Sequence, residues 1–194
     1  KPRGTWDGSK VTFDFTLTKD KAYKLPDFSG DKWTKIIAPY TDLSPAVAGG
    51  YKTANSYIVS AAGDYKFRAT HKGNSSTEAI GAITSAAVLW ESFGTATAPA
   101  VGDLVKNVAY SDGYIRFTAT AAEGNAVIAA KDASDKILWS WHIWLTDKPA
   151  EHVYANSAGT MMDRNLGATS ATPGDVGALG LLYQWGRKDP FLGS

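Results

Sequence analysis

The stretch that most constrains the fold is 137–145, which carries three of the chain's seven tryptophans. Read with a period of two, its odd positions are all apolar, whereas its even positions are Leu138, Ser140, His142 and Trp144. A helix would surround Ser140 and His142 with tryptophans, so the pattern predicts a strand. Because each indole buries roughly 150–250 Å², we place this strand in the middle of a sheet, where other segments must cover it.

Composition narrows the classes of function. The 194 residues include 20 Lys and Arg against 19 Asp and Glu, a net charge of +1, so no overall field attracts nucleic acid or an anionic membrane. No stretch has the apolar length of a transmembrane helix. Cysteine is absent, which excludes disulfides, thiol catalysis and Cys-ligated metals. We therefore expect no nucleic-acid partner, no transmembrane segment and no cofactor.

Short alternating runs predict the other strands. They are residues 11–17, 33–38, 55–59, 65–69, 88–92, 104–110, 114–120 and 126–131. Residues 60–64 suit a hairpin, as does Asp112-Gly113, and the run 126–131 should pair with the Trp-rich strand, so that two successive hairpins form a meander. Residues 79–87 fit either a helix or a strand. The spacing predicts a mainly β protein with an antiparallel Ig-like β-sandwich, although the Cys-Trp-Cys signature of true Ig domains is missing.

Pro and Gly accumulate before residue 51 and predict a boundary there. Residues 1–50 then form an N-terminal β segment, as a separate small domain or as part of the sandwich. Residues 51–149 form the sandwich, and residues 150–194 form a short mixed C-terminal segment. Within that segment, the Leu-rich run 178–186 is compatible with one short helix.

The most chemical-looking cluster is Asp163, Arg164 and Asn165, which lies between apolar neighbours. Charged side chains at the edge of a core must be paired, so we expect these three residues to form a structural polar cluster. A catalytic role for them is the alternative. Adjacent strand residues point to opposite faces, so Asp163 and Arg164 should bind other partners. The partners that we expect are Arg187, Lys188 and Asp189.

Trp144 and His142 are the candidate ligand-binding residues. We expect the indoles to form the sandwich core; a sugar-stacking platform is the alternative, and only Trp144, on the mixed face, is a candidate for exposure. His142 is expected to be a half-buried histidine with a satisfied hydrogen bond, with a role as ligand or base as the alternative. His71 and His152 show no metal-binding spacing with it. We predict no catalytic residue and no metal ligand.

Six stretches in order carry a resemblance to a known family. They are residues 54–60, 88–94, 124–132, 137–145, 161–168 and 180–191. Together they resemble the fimbrillin-like, lipoprotein-type surface proteins of gut anaerobic Gram-negative bacteria. The resemblance implies a non-enzymatic exported protein of the cell surface or outer membrane, lipid-anchored through a removed N-terminal segment. It also implies a fimbrial or adhesin-like role with other surface or fimbrial subunits as partners. The alternative is a carbohydrate-binding module for host or dietary glycans.

The last two stretches resemble the start of the major paralogous (FISUMP) surface domain, which is distantly similar to C-type-lectin and sulfatase-modifying folds. The resemblance implies that this module continues beyond Ser194. Sulfatase-modifying chemistry uses cysteine thiolates and this chain has no cysteine, so that activity is excluded. Ser56 stands where fimbrillin-like relatives often carry Cys, so nothing at that position depends on a thiol. The Glu-Pro-Asn and Trp-Asn-Asp motifs of calcium-dependent lectins are also missing. Arg3 is either a processing site, as in some relatives, or a chance arginine.

Overall fold

The structure, a computed structural model, describes residues 40–73, 75 and 77–191, together with the backbone of two short strands near the N-terminus. The chain divides into two compact units, Lys1–Ile37 and Ala38–Ser194. In the first unit, β1 (Thr5–Trp6) pairs antiparallel with β2 (Val11–Thr12). The predictions of strand structure at 13–17 and 33–38 lie outside the described residues.

The described part of the second unit is built from short strands and hairpins. They are β3 (Thr41–Asp42), β4 (Ala46–Val47), β5 (Gly50–Tyr51), β6 (Ser56–Val59), β7 (Gly63–Arg68), β8 (Ser85–Ser92), β9 (Val105–Ser111), β10 (Tyr114–Ala119), β11 (Gly124–Lys131), β12 (Ile137–Leu145), β13 (Glu151–Val153) and β14 (Thr160–Met162). The run 79–92, which the sequence left partly open, therefore contains a longer strand than the predicted 88–92.

Two four-stranded sheets form the body of this unit, and they confirm the mainly β sandwich. The first sheet has the order β3-β7-β10-β9 and the second β6-β12-β11-β8. β3 pairs parallel with β7 and β6 parallel with β12, while the other pairs in both sheets are antiparallel. The Trp-rich strand β12 lies between β6 and β11, so its predicted internal position is confirmed. Thr41–Asp42 already belongs to the sandwich, before the predicted boundary.

The hairpins β9–β10 and β11–β12 form as predicted. They lie in different sheets, however, so the predicted meander is wrong. The predicted hairpin between β6 and β7 is wrong as well. Tyr57 of β6 and Phe67 of β7 both point into the common core, with ring centroids 5.1 Å apart. Two strands that bury their side chains against each other must lie in facing sheets, and the chain crosses between the sheets at residues 60–62.

The core between the sheets is built around aromatic side chains. Phe67 is fully buried and contacts Trp141 at 5.1 Å and Phe117 at 6.2 Å between ring centroids. Ile143 and Leu145 extend the inward face of β12, as the period of two predicted. One face of the Trp-rich strand is therefore sealed by the opposite sheet.

The strands at the sandwich edges differ in how open they are. The carboxylate of Glu91 in β8 accepts hydrogen bonds from the backbone N–H groups of Gly102, Leu104 and Val105 at 2.7–3.1 Å. It thereby ties β8 to the start of β9, and both of these edge strands have a register shift against their neighbours. Such irregularities hinder the addition of another strand. β6 is regular, and among the described strands it pairs with β12 alone.

After the β13–β14 hairpin, the chain folds back over the second sheet as irregular structure; we call residues 163–191 the C-terminal cover. The short helix with which the sequence of 178–186 is compatible does not form. A 3-10 turn at Val176–Ala178 ends before Gly180, whose φ of +73° breaks a helix. The N–H of Leu181 donates instead to the carbonyl of Leu166, 2.9 Å away. The helices within the described residues are single 3-10 turns, neither of which is long enough to cross a bilayer.

Candidate functional site

The second face of β12 is buried under the C-terminal cover. Ser140 and His142 are each 4% exposed and Trp144 is 1% exposed. The indole Nε1–H of Trp144 donates to the carbonyl oxygen of Ala168 at 3.0 Å. Trp144 is therefore buried, as expected for the core indoles, and the alternative of an exposed sugar-stacking residue at this position is wrong. A strand with large apolar side chains on both faces needs a layer on each side, and the cover is the second layer.

His142 is held from both ring nitrogens. Nδ1 lies 2.9 Å from Oγ of Ser56, and Nε2 lies 2.9 Å from Oδ1 of Asn125. The amide nitrogen of Asn125 donates to the carbonyl of Gly167 at 2.8 Å, which leaves its oxygen to accept from His142. Nε2 therefore carries the proton, and Nδ1 accepts from the Ser56 hydroxyl. The expected satisfied histidine is confirmed, although it is more deeply buried than half, and it links β6, β11, β12 and the cover.

Burial lowers the pKa of His142 from its ordinary 6.5 to about 4, and the nearby charge of Asp189 only partly offsets this effect. Between these two values the unfolded chain binds a proton that the folded chain does not. The contribution of neutral His142 to the free energy of unfolding is therefore complete above pH 6.5 and is lost as the pH falls towards about 4. The loss amounts to about 3 kcal/mol. We expect urea unfolding at a series of pH values to show this slope.

The matched variants separate His142 from the other titrating groups. His142→Gln is expected to flatten the slope between about pH 6.5 and 4.5, whereas the exposed His152→Gln should retain it. An unchanged slope in His142→Gln would mean that the imidazole is already charged in the folded chain.

Ser140, Lys188 and Asp189 form a second polar contact between strand and cover. Oγ of Ser140 lies 2.8 and 3.0 Å from the two carboxylate oxygens of Asp189. Nζ of Lys188 donates to the backbone carbonyl of Ser140 at 2.9 Å, to its hydroxyl at 2.5 Å and to Asp189 at 2.5 Å. All three ammonium protons are thus in use, so this lysine is arranged to hold the hydroxyl and not to remove its proton.

The Asp163–Arg164 cluster fastens the start of the cover. The guanidinium of Arg164 bonds both carboxylate oxygens of its neighbour Asp163, at 2.8 and 3.1 Å. It also donates to the carboxylate of Asp147 and, at 3.2 Å, to Oγ1 of Thr146, just beyond β12. The predicted partners Arg187, Lys188 and Asp189 are therefore wrong. These two residues follow β14 and are not in a strand, so the rule that neighbours point apart does not apply.

The charges in this cluster favour its ionised form. Hydrogen bonds from Arg164 are the largest cause of the lowered pKa values of Asp147 and Asp163. The same bonds raise the pKa of Arg164, whose side chain is only 6% exposed. Asn165 does not join these ions; its amide donates to the carbonyls of Ala178 and Leu179 within the cover. The Asp163–Arg164 cluster thus joins the start of the cover to Asp147, just beyond β12, and we call it the clamp.

Sequence reasoning missed one central member of the polar network. Asn125 is fully buried in β11, opposite Trp144, and it joins His142 to the cover. The available signal was an amide inside the apolar run 124–130, because a buried amide requires partners. The network brings His142 and Trp144 together under one cover, and the clamp at Asp163–Arg164 lies at its start.

A small cavity lies at an end of the sandwich, with a volume of about 100 Å³. Its lining includes the exposed carboxylates of Glu123 and Asp147, and Asp147 is already bonded to Arg164. Pockets for small organic ligands are usually larger than about 300 Å³. The cavity therefore has room for a few water molecules and little more.

Within the described residues, no group of three or more His, Asp or Glu side chains is placed to hold a metal ion. Comparisons with protein-family models, with curated proteins and with solved structures find no match.

Proposed function

We propose that this chain is a non-enzymatic, exported cell-surface protein that acts as a fimbrial or adhesin-like component among other surface subunits. In this proposal the fimbrillin-like resemblance supplies the class of protein, and the polar network described above serves to fix the cover on the sandwich. The molecule then acts through its outer surface.

The observation that carries the proposal is the apolar outer surface of residues 151–191. Most of the large hydrophobic side chains exposed in the described part of the chain belong to this range, and they are Val153, Tyr154, Met161, Met162, Leu166, Val176, Leu179, Leu182, Tyr183, Trp185 and Phe191. Trp185 is fully exposed, and Leu179 and Leu182 are more than half exposed. A large number of exposed hydrophobic side chains in one segment favours a contact with another polypeptide. The regular edge of β6 offers a second place for such a contact.

Surface location is tested on cells that produce the protein. Antibodies against the folded chain should label intact cells, and added protease should remove that label. Protein found only inside the cell, protected until lysis, contradicts the proposal.

Association through the apolar surface is tested with a matched pair of variants. Leu182→Ser combined with Trp185→Ser is expected to weaken self-association or association with co-purified surface subunits by about tenfold or more, since each buried large side chain is worth about 1.5–3 kcal/mol. Val101→Ser changes a residue outside this range that is about as exposed as Trp185, and it should leave association unchanged. Mass photometry over a concentration series gives the readout. If the double variant associates as strongly as Val101→Ser, the contact lies outside the apolar surface of residues 151–191.

A further inference from the structure

The outer face of the first sheet differs from that of the second. The cover lies on the second sheet, whereas the outward side chains of β7 and β10 remain partly exposed. Three cations and three tyrosines meet there, and we call them the basic–tyrosine patch. They are Lys66, Arg68, Arg116, Tyr40, Tyr51 and Tyr114.

Arg68 is the centre of this patch. Its guanidinium carbon lies 3.7 Å from the ring centroid of Tyr51 and 5.7 Å from that of Tyr114. Nη1 donates to the Tyr114 hydroxyl at 3.4 Å, a long hydrogen bond. Arg68 forms no salt bridge with any carboxylate of the described residues. The two rings thus hold a guanidinium in place while most of its donors stay available, which is the arrangement that binds a carboxylate through two parallel hydrogen bonds.

The two neighbouring cations add to the attraction for an anion. Lys66 and Arg116 are direct partners across β7 and β10, and like charges in that position repel. Asp42 lies 3.7 Å from Lys66, and Asp112 lies 3.5 Å from Arg116. These pairs are long and partly open to water, with Asp112 84% exposed, so each contributes little, about 0–1 kcal/mol. A carboxylate that binds near Arg68 therefore reduces the repulsion between Lys66 and Arg116. The pairs with Asp42 and Asp112 compete with it only weakly.

We propose that the basic–tyrosine patch binds an acidic oligosaccharide, with Arg68 holding a sugar carboxylate. On the same face, the Asp64 carboxylate accepts from the Thr118 hydroxyl at 2.6 Å, and the Asp42 carboxylate accepts from Ser44. Each carboxylate keeps further acceptor positions for sugar hydroxyls. The Arg68 guanidinium could also bind a carboxylate of an acidic peptide, and the test below distinguishes the two ligands. The proposal goes beyond the proposed function and uses a different surface from the apolar side of residues 151–191.

The test is binding of an oligogalacturonate to the full chain, measured by isothermal titration calorimetry at low salt. Arg68→Gln is expected to weaken binding by about tenfold or more, because it removes a charge-assisted bidentate contact. Arg68→Lys keeps the charge but lacks the two parallel N–H donors of the guanidinium, so it should also weaken binding. Lys136→Gln removes an exposed cation outside the patch and should leave the affinity within about twofold. The methyl-esterified oligosaccharide, which lacks the charge, should not bind.

Each other outcome overturns the proposal. No binding of the oligogalacturonate by the wild-type chain contradicts it directly. Equal weakening by Arg68→Gln and Lys136→Gln indicates attraction by overall charge only. Tighter binding of polyglutamate or of duplex DNA than of the sugar assigns the patch to another class of partner. Circular dichroism and the urea midpoint of each variant establish that the fold is retained, since Arg68 and Lys136 both lie at the surface.

Discussion

Replacement of Trp144 by alanine is expected to lower the free energy of unfolding by about 3–5 kcal/mol. The indole is 1% exposed and its N–H bonds the Ala168 carbonyl. The substitution removes the largest side chain between β12 and the cover, leaves a cavity and leaves that carbonyl without its partner. Urea unfolding followed by circular dichroism gives the value. Trp144→Phe, which keeps most of the volume but not the donor, should cost less.

Trp185→Ala is the matched control. It removes the same side chain from a fully exposed position in the cover, and the change should stay within about 0.5 kcal/mol. Equal effects of Trp144→Ala and Trp185→Ala would show that the cover does not lie on β12 in solution.

Gly180→Ala is expected to destabilise the chain by about 3 kcal/mol or more. Gly180 has a φ of +73°, and a Cβ there would lie 2.6 Å from the carbonyl oxygen of Leu166 and 3.0 Å from Cβ of Asn165. The cover is folded so tightly at this point that the backbone itself is the obstacle. The two segments of the cover that are joined by the hydrogen bond from Leu181 to Leu166 should be the first part of the variant to separate on unfolding.

Gly186→Ala separates crowding from backbone strain. Gly186 has a similar φ of +79° but nothing within 4 Å of the added Cβ. It should cost only about 1–2 kcal/mol, the penalty of a left-handed conformation for an L-residue. Similar losses in the two variants would contradict the close approach at Gly180.

The fold could be predicted from local patterns where a strand buries one face. The alternation in 137–145 and the Asp112-Gly113 turn fixed strands and hairpins that the structure contains. The sheet to which each strand belongs was not predictable in the same way, because β6 and β7 carry the same alternation whether they pair with each other or face each other. The aromatic contact between Tyr57 and Phe67 decides this question, and it is a property of the folded chain.

The sequence allowed the candidate residues of β12 to be identified, but not the segment that covers them. His142 and Trp144 were identified by their position on the mixed face, but the layer that covers them comes from residues 163–191, which lack a period of their own. The basic–tyrosine patch escaped notice because its residues come from separate segments. A signal existed: Lys66, Arg68 and Arg116 occupy outward positions of strands predicted from alternation, and the register of β7 against β10 brings them together.

Strand β12 is buried on both faces, and the proposed function, in which contacts are made by the outer surface, depends on this burial. Hydrogen exchange of the indole N–H groups, followed by NMR in deuterated buffer, tests it most directly. The account predicts that the Nε1–H of Trp144 is protected and disappears far more slowly than that of Trp185, which should exchange before the first spectrum. Equally fast exchange of the two indoles would mean that the second face of β12 is open to water, which would contradict the account.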